Sequence, residues 1–129
     1  MKYTSFEQLP VWKDGIKFSD RCFRMAADKS FYYQGDLSRQ LGSAGLSVPN
    51  NIAEGFEKDT TKDLIKFLYI ARGSAGEVRS MMYVLALNER YSHLEAERVE
   101  ILKMSDSISR QLRAWILSIR PKVARANSI

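Results

Sequence analysis

Few side chains in this chain are of a type and spacing that could do covalent chemistry. His93 is the one histidine, and an imidazole is the side chain best suited to general acid–base work near neutral pH. Its nearest basic neighbour, Arg90, lies three residues before it, closer than the Arg–His pairs of helical nucleases. The spacing predicts that His93 is a solvent-facing residue in a first helical turn. Cys22 is the one cysteine; it falls in an apolar stripe, and its neighbour Arg21 sits on a different helix face, which predicts a buried, inert thiol. One histidine and one cysteine exclude catalytic histidine pairs, HExxH zinc sites, di-iron sites with two Glu-x-x-His motifs, thiolate zinc sites and an intrachain disulfide. The glycines fall inside helical patterns rather than between a strand and a helix, so no phosphate-binding loop is present. No catalytic residue, metal ligand or cofactor site is assigned.

Two polar constellations remain. In Asn50-Asn51-Ile52-Ala53-Glu54-Gly55, Asn51 and Glu54 stand three apart and share a helix face. Preceded by Pro49, they are expected to cap a kink and to hydrogen-bond across to Ser74 or Arg72. That network would set helix register; Glu54 is the first residue to mutate if the protein is an enzyme after all. The second constellation is basic. With Ile101, Ile108 and Trp115 turned inward, Lys103 and Arg110 share an outer face, Arg113 and Arg120 an adjacent row, and Lys122 and Arg125 extend it. Such a row is either a solvated face or a phosphate-binding one. With Trp115 needed in the core, no exposed aromatic is evident beside it, so nucleic-acid contact there would be electrostatic and weakly sequence-selective.

Charge sorted by segment sharpens that second reading. The net charge of +5 comes from 20 basic and 15 acidic residues in 129. Residues 1–64 hold nine of each sign and residues 65–100 five of each, while residues 101–129 hold six bases against Asp106 alone. The whole excess lies in the last segment and points to an anionic partner at one place. Apolar residues at 45% and charged residues at 27% describe an ordinary globular chain, long enough to bury a core without a metal or disulfide. No apolar run approaches the roughly 20 residues of a membrane span, and the Met-Lys-Tyr-Thr-Ser-Phe-Glu start has no signal-peptide core, so a cytoplasmic protein is expected.

The elements that must position these groups are helices throughout. Leu9, Trp12, Ile16, Ser19, Phe23 and Ala26 recur at steps of three and four, with Pro10 suited to a first turn. A second stripe of Val11, Gly15, Phe18, Cys22 and Met25 runs beside the first, wide enough for either a thick core or a subunit interface; Phe18 and Met25 are taken as the oligomer contact. Phe31 to Gly35 is a connection, Asp36 the next N-cap, and the second helix ends at Gly55 in a left-handed C-cap. Its Gly42, Ala44 and Gly45 are expected to face a small-residue patch on the third helix around Ala71, Gly73, Ser74, Ala75 and Gly76. Thr60 caps that third helix with Asp63 at N3, and Leu64, Phe67, Ala71, Ser74, Val78, Met81 and Leu85 form its inner stripe. Ser92-His93-Leu94-Glu95 reads as a capping box for the fourth, which carries Ile101, Ser105, Ile108, Leu112, Trp115 and Ile119 and stops before Pro121. The prediction is one all-α domain over 1–129, an up-down-up-down antiparallel four-helix bundle with a kinked second helix. Its helices fall near 10–29, 37–54, 61–88 and 93–120, with a frayed tail over 121–129.

The segments Gln40-Leu41, Ser47-Val48-Pro49-Asn50-Asn51-Ile52-Ala53-Glu54-Gly55-Phe56 and Phe67-Leu68-Tyr69-Ile70-Ala71-Arg72-Gly73-Ser74-Ala75-Gly76-Glu77-Val78 carry a resemblance. Together with Phe6-x-x-Leu9-x-Val11-Trp12 they resemble the bacterial four-helix bundle protein family. That family includes proteins encoded in intervening sequences of 23S rRNA genes, once called S23 ribosomal proteins. Gly45 departs from it, standing where an alanine is commoner, and Arg72 interrupts the second motif. The resemblance implies a cytoplasmic bundle assembling into a homopentamer. The family is related to the accessory variability determinants of diversity-generating retroelements, pentamers that bind nucleic acid and a reverse transcriptase through basic surfaces, and this chain is more similar to the intervening-sequence branch. The motif residues Pro49, Asn51, Glu54, Gly55 and Ser74 transfer as packing positions. The partners expected are further copies of the chain and RNA or DNA, with a scaffold that recruits a protein as the alternative.

Overall fold

The computed structural model describes residues 2–121. Four helices account for most of it: α1 Pro10–Ala26, α2 Gly35–Phe56, α3 Thr61–Ala86 and α4 Glu95–Ile119. Short 3-10 segments at Phe6–Gln8, Lys29–Phe31 and Glu89–Leu94 precede α1, α2 and α4. No strand occurs among the described residues.

Contacts between helices establish the topology. Gly15 of α1 lies against Pro49 and Gly45 of α2 against Cys22, so the two helices run antiparallel. Ser47 bonds Ser74 while Gly55 meets Leu64 and Phe67, which makes α2 and α3 antiparallel in turn. Asp14 pairs with Gln111 and Arg21 with Glu97, fixing α4 antiparallel to α1. Each helix packs on its chain neighbours, and α4 closes back on α1 to complete an up-down-up-down bundle. The core runs along its axis, from Phe18 and Cys22 through Leu41, Val48 and Ile52 to Leu68, Met82, Ile108 and Leu112.

Two helix starts follow their local sequence. Pro10 occupies the first turn of α1, where its missing N–H leaves no bond unmade. The Thr60 hydroxyl accepts from the Asp63 N–H at 3.1 Å, and Asp63 adds an acid to the positive end of α3.

Elsewhere tertiary contacts displace the local expectations. α1 ends at Ala26, three residues short of the expected boundary, because Asp28 turns the chain into its own cap: its carboxylate accepts from the Ser30 N–H at 2.9 Å and the Ser30 hydroxyl at 2.6 Å. Asp36 lies inside the first turn of α2 and pairs with Arg39, while Gln34 holds the cap position. The left-handed residue of this connection is Tyr33, with φ of 65°, its ring wholly in solvent. Gly55 is no C-cap. No described glycine has a positive φ, and α2 continues through Gly55 to Phe56, because bare backbone is needed there against α3. α2 runs through Pro49, and the proline ring packs where Gly15 offers no Cβ. The capping box at Ser92 does not form, since Glu89–Leu94 winds as a 3-10 turn capped by Asn88, and buried Tyr91 holds that turn against Phe31 with ring centroids 5.0 Å apart.

Packing also chooses between the two stripes of α1. Val11, Phe18, Cys22 and Met25 are the core stripe, whereas Ile16 and Phe23 remain 43% and 47% exposed. Phe18 and Met25 therefore have no surface to give to a second subunit, which corrects their assignment as an oligomer contact. Ile16 and Phe23 flank the outer seam between α1 and α2, with Leu46 exposed across it. The glycines of α2 are corrected as well: Gly42 faces Phe23, and Gly45 faces Ser19 and Cys22, so both serve α1 rather than α3. Toward the end of α4 Ile116, rather than Trp115, is the buried position, and Trp115 is half-buried beside Tyr3, Leu9 and Val11.

Candidate nucleic-acid interface

α4 carries its apolar residues Ile101, Ile108, Leu112 and Ile116 inward and leaves Lys103, Arg110, Arg113 and Arg120 exposed. From Lys103 to Arg120 the row covers about 25 Å at 1.5 Å per residue. Asp106 pairs with Arg110 one turn away at 2.9 Å, so it offsets that guanidinium first. Lys103, Arg113 and Arg120 make no ion pair among the described residues. The remaining two expected members, Lys122 and Arg125, and the tail expected to fray, lie outside the described residues apart from Pro121.

Sequence reasoning missed two arginines that share this side of the bundle. Arg79 of α3 donates to the Ser109 hydroxyl of α4 at 3.3 Å. Arg72 lies seven residues, two turns, before Arg79 on the same row of α3. In the antiparallel register set by that contact, Arg113 and Arg120 are the α4 residues on the same groove. The signal was present as an i, i+7 spacing, but five acids elsewhere in residues 65–100 cancelled these bases in a count by segment.

The family-type motif residues form a cross-link. The Asn51 side-chain amide donates to the Ser47 carbonyl at 2.8 Å and its hydroxyl at 2.9 Å, and the Ser74 hydroxyl donates to the same Ser47 oxygen at 2.8 Å. Ser47, not singled out from the sequence, is the hub. Asn51 and Ser74 are thus brought together, but Glu54 is exposed and joins no hydrogen bond among the described residues. Of the bonds expected from Asn51 and Glu54 to Ser74 or Arg72, only an indirect one forms among the described residues: Asn51 reaches back one turn to Ser47, which joins it to Ser74. An open hollow of about 380 Å³ adjoins it, lined by Arg39, Gln40, Ser43, Ser47, Ser74 and Glu77.

His93 is likewise engaged structurally. Its Nε2 lies 2.8 Å from Asp28 Oδ1, so it is not simply solvent-facing. Arg90 donates to the carbonyls of Ser30 at 2.6 Å and Tyr32 at 3.0 Å. The two residues clamp the α1–α2 connection to the turn before α4. Hydrogen bonds from the Ser30 hydroxyl, then its N–H, then His93 hold the Asp28 carboxyl at about 2. A depressed carboxylate pKa stabilises the fold fully above the unfolded value near 4 and loses that stabilisation as pH falls toward 2. Asp28→Ala is expected to cost about 1 kcal/mol at neutral pH, as lost caps do, and to flatten stability between pH 4 and pH 2. Urea midpoints across that range, in parallel with the unmodified protein, check both effects. Cys22 is buried and its thiol is pushed up to about 12, first by burial and then by Glu97.

The described residues hold no group of three or more His, Cys, Asp or Glu side chains able to bind a metal ion, and no helix among them is long and apolar enough to cross a membrane. Its polar clusters tie helix to helix and loop to loop, and its ordering is that of an all-α antiparallel four-helix bundle. A family model described as 23S rRNA-intervening sequence protein matches residues 7–114, and the chain belongs to that family. Comparison with curated proteins finds no match.

Proposed function

We propose that this protein is a non-enzymatic, cytoplasmic, homo-oligomeric bundle that binds RNA or DNA through the exposed bases of α4. The observation that carries the reading is the outward placement of Lys103, Arg110, Arg113 and Arg120 with Asp106 as the acid beside them. Clustered cations on one face bind phosphate by releasing condensed counterions, with no need for base contacts. Self-association, with a pentamer as the expected number, is supported by the apolar α1–α2 seam of Ile16, Phe23 and Leu46. That seam lies across the bundle from the α3–α4 groove, so a contact made through it leaves the basic face open.

Gel-shift titration against salt tests the reading. Binding at low salt should weaken steeply as salt rises, and Arg110→Ala with Arg113→Ala should reduce the slope by about 1.8 for duplex DNA, 0.9 per phosphate. Light scattering on the same sample should give a multiple of 14.8 kDa. Absence of binding at low salt would leave a protein-recruiting scaffold as the better reading, and a monomer would remove the assembly.

A further inference from the structure

We infer that the α3–α4 groove binds single-stranded RNA, with Tyr69 and Tyr83 as base-stacking platforms between which arginines hold the phosphates. The inference rests on the basic-face reading above and names its ligand. Tyr69 and Tyr83 are 45% and 61% exposed, so neither ring is consumed by the core. Helical phase puts both on the α4 side of the outer face of α3, on the same arc as Arg72 and Arg79. The Arg79–Ser109 contact sets the register: Tyr69 stands opposite the end of α4 that carries Arg120, Gly76 opposite Arg113, and Tyr83 opposite Asp106. The two tyrosines are 14 residues apart, about 21 Å along the helix, or about six bases at a stacked rise of 3.4 Å.

The surface between them suits a flexible strand. Arg79 is bonded to a neutral hydroxyl rather than a carboxylate, which leaves its charge for phosphate. A Cβ built on Gly76 would meet nothing nearer than Arg79 Nη2 at 3.9 Å, so the helix backbone is bare there and a base or sugar can lie close. A duplex hides its base faces and presents only phosphates to such a groove, leaving the tyrosines without a role. An unpaired strand offers both bases to the rings and phosphates to the arginines. RNA is the polynucleotide whose loops and ends ordinarily present unstacked bases, which decides the strand type.

Fluorescence anisotropy with a labelled single-stranded RNA of roughly 12 nucleotides, within the usual site-size range, tests this against an RNA duplex and a single-stranded DNA of matching length. The single-stranded RNA should bind at least about tenfold more tightly than the duplex. Tyr69→Ala and Tyr83→Ala should each weaken it by about 5- to 100-fold with an unchanged salt slope, whereas Tyr→Phe retains affinity. Arg72→Ala and Arg79→Ala should each lower the slope by about 0.7. Circular dichroism verifies that these surface variants keep the bundle. Equal or tighter duplex binding, or unchanged affinity in both Tyr→Ala variants, would overturn the stacking groove while leaving the basic-face reading intact. Tighter binding of the DNA strand would overturn the RNA assignment, and failure of all three probes to bind at low salt would remove the parent reading as well.

Discussion

Gly55→Val is expected to be the most damaging single substitution in this protein, and Gly55→Ala to damage it in the same direction. A Cβ at position 55 would lie 2.9 Å from Phe67 Cβ, 3.2 Å from Leu64 Cδ1 and 3.3 Å from the Leu64 carbonyl oxygen. The Leu64 methyl can swing aside, but Phe67 Cβ and the Leu64 carbonyl move only with the α3 backbone. The helices would have to part at this close contact, and overpacking of this kind costs about 1–3 kcal/mol for small additions. Alanine recovers at most about 1 kcal/mol through helix propensity, so its net effect remains unfavourable. Valine adds two further methyls to the same gap and should remove a large share of a total stability of about 5–15 kcal/mol. Gly73 is the control of opposite sign: nothing lies within 4 Å of its absent Cβ, and Gly73→Ala should stabilise by about 0.5–1 kcal/mol. Urea unfolding followed by circular dichroism gives all three values. A Gly55→Ala protein as stable as Gly73→Ala would show that α2 and α3 are not in close approach there.

The second large effect is expected at Gly45, on the other side of α2. A Cβ there would meet Cys22 Cβ at 2.7 Å and Sγ at 3.0 Å. Rotating the cysteine side chain relieves the sulfur contact but cannot move its Cβ, so Gly45→Ala should cost about 1–3 kcal/mol despite the gain in propensity. The same geometry predicts an asymmetric rescue. Cys22→Ala leaves the Cβ in place and should not restore Gly45→Ala, whereas Cys22→Gly removes it and should. A double-mutant cycle between Gly45→Ala and Cys22→Gly should therefore show a favourable coupling of about 0.5–3 kcal/mol. Additive effects within the error of the unfolding curves would place the α1–α2 crossing elsewhere.

Both positions show how differently local and tertiary information act in this chain. Gly55 reads from the sequence as a helix terminator because glycine commonly takes the left-handed cap conformation. In the structure it is helical, and its value lies in the missing Cβ opposite Phe67. Nothing in the linear spacing distinguishes those two uses of glycine. The same holds for Ser92-His93-Leu94-Glu95, whose capping box loses to a 3-10 turn anchored by buried Tyr91 and by Arg90 and His93 on the α1–α2 connection. Three tertiary contacts outweigh two local hydrogen bonds, each of which is worth only about 1 kcal/mol.

The exposed bases divide along the same line. That Lys103, Arg110, Arg113 and Arg120 face outward was legible because Ile101 and Ile108 fix the phase of α4, although Trp115, read with them, is only half-buried. Arg72 and Arg79 were not legible as their partners, since the pairing of α3 with α4 depends on a register across 30 residues of chain, seen only in the Arg79–Ser109 contact. The position of Tyr69 and Tyr83 beside α4 was hidden for a related reason. A periodic stripe says which face of α3 goes inward, but not which outer residues end beside another helix.

From sequence alone the number of helices, the all-α class, the Thr60 cap, the Pro10 start and the location of the net charge were determined, because each depends on residues within a turn or two of one another. Tertiary structure alone decided which of two adjacent stripes on α1 is buried, which helix each glycine of α2 serves, and that Ser47 joins Asn51 to Ser74. The physical reason is one of range. Hydrogen-bonded turns and helical periodicity are set by neighbours a few residues apart, whereas azimuth and register follow from close packing among four surfaces at once, where a single Cβ of excess volume is enough to exclude an arrangement.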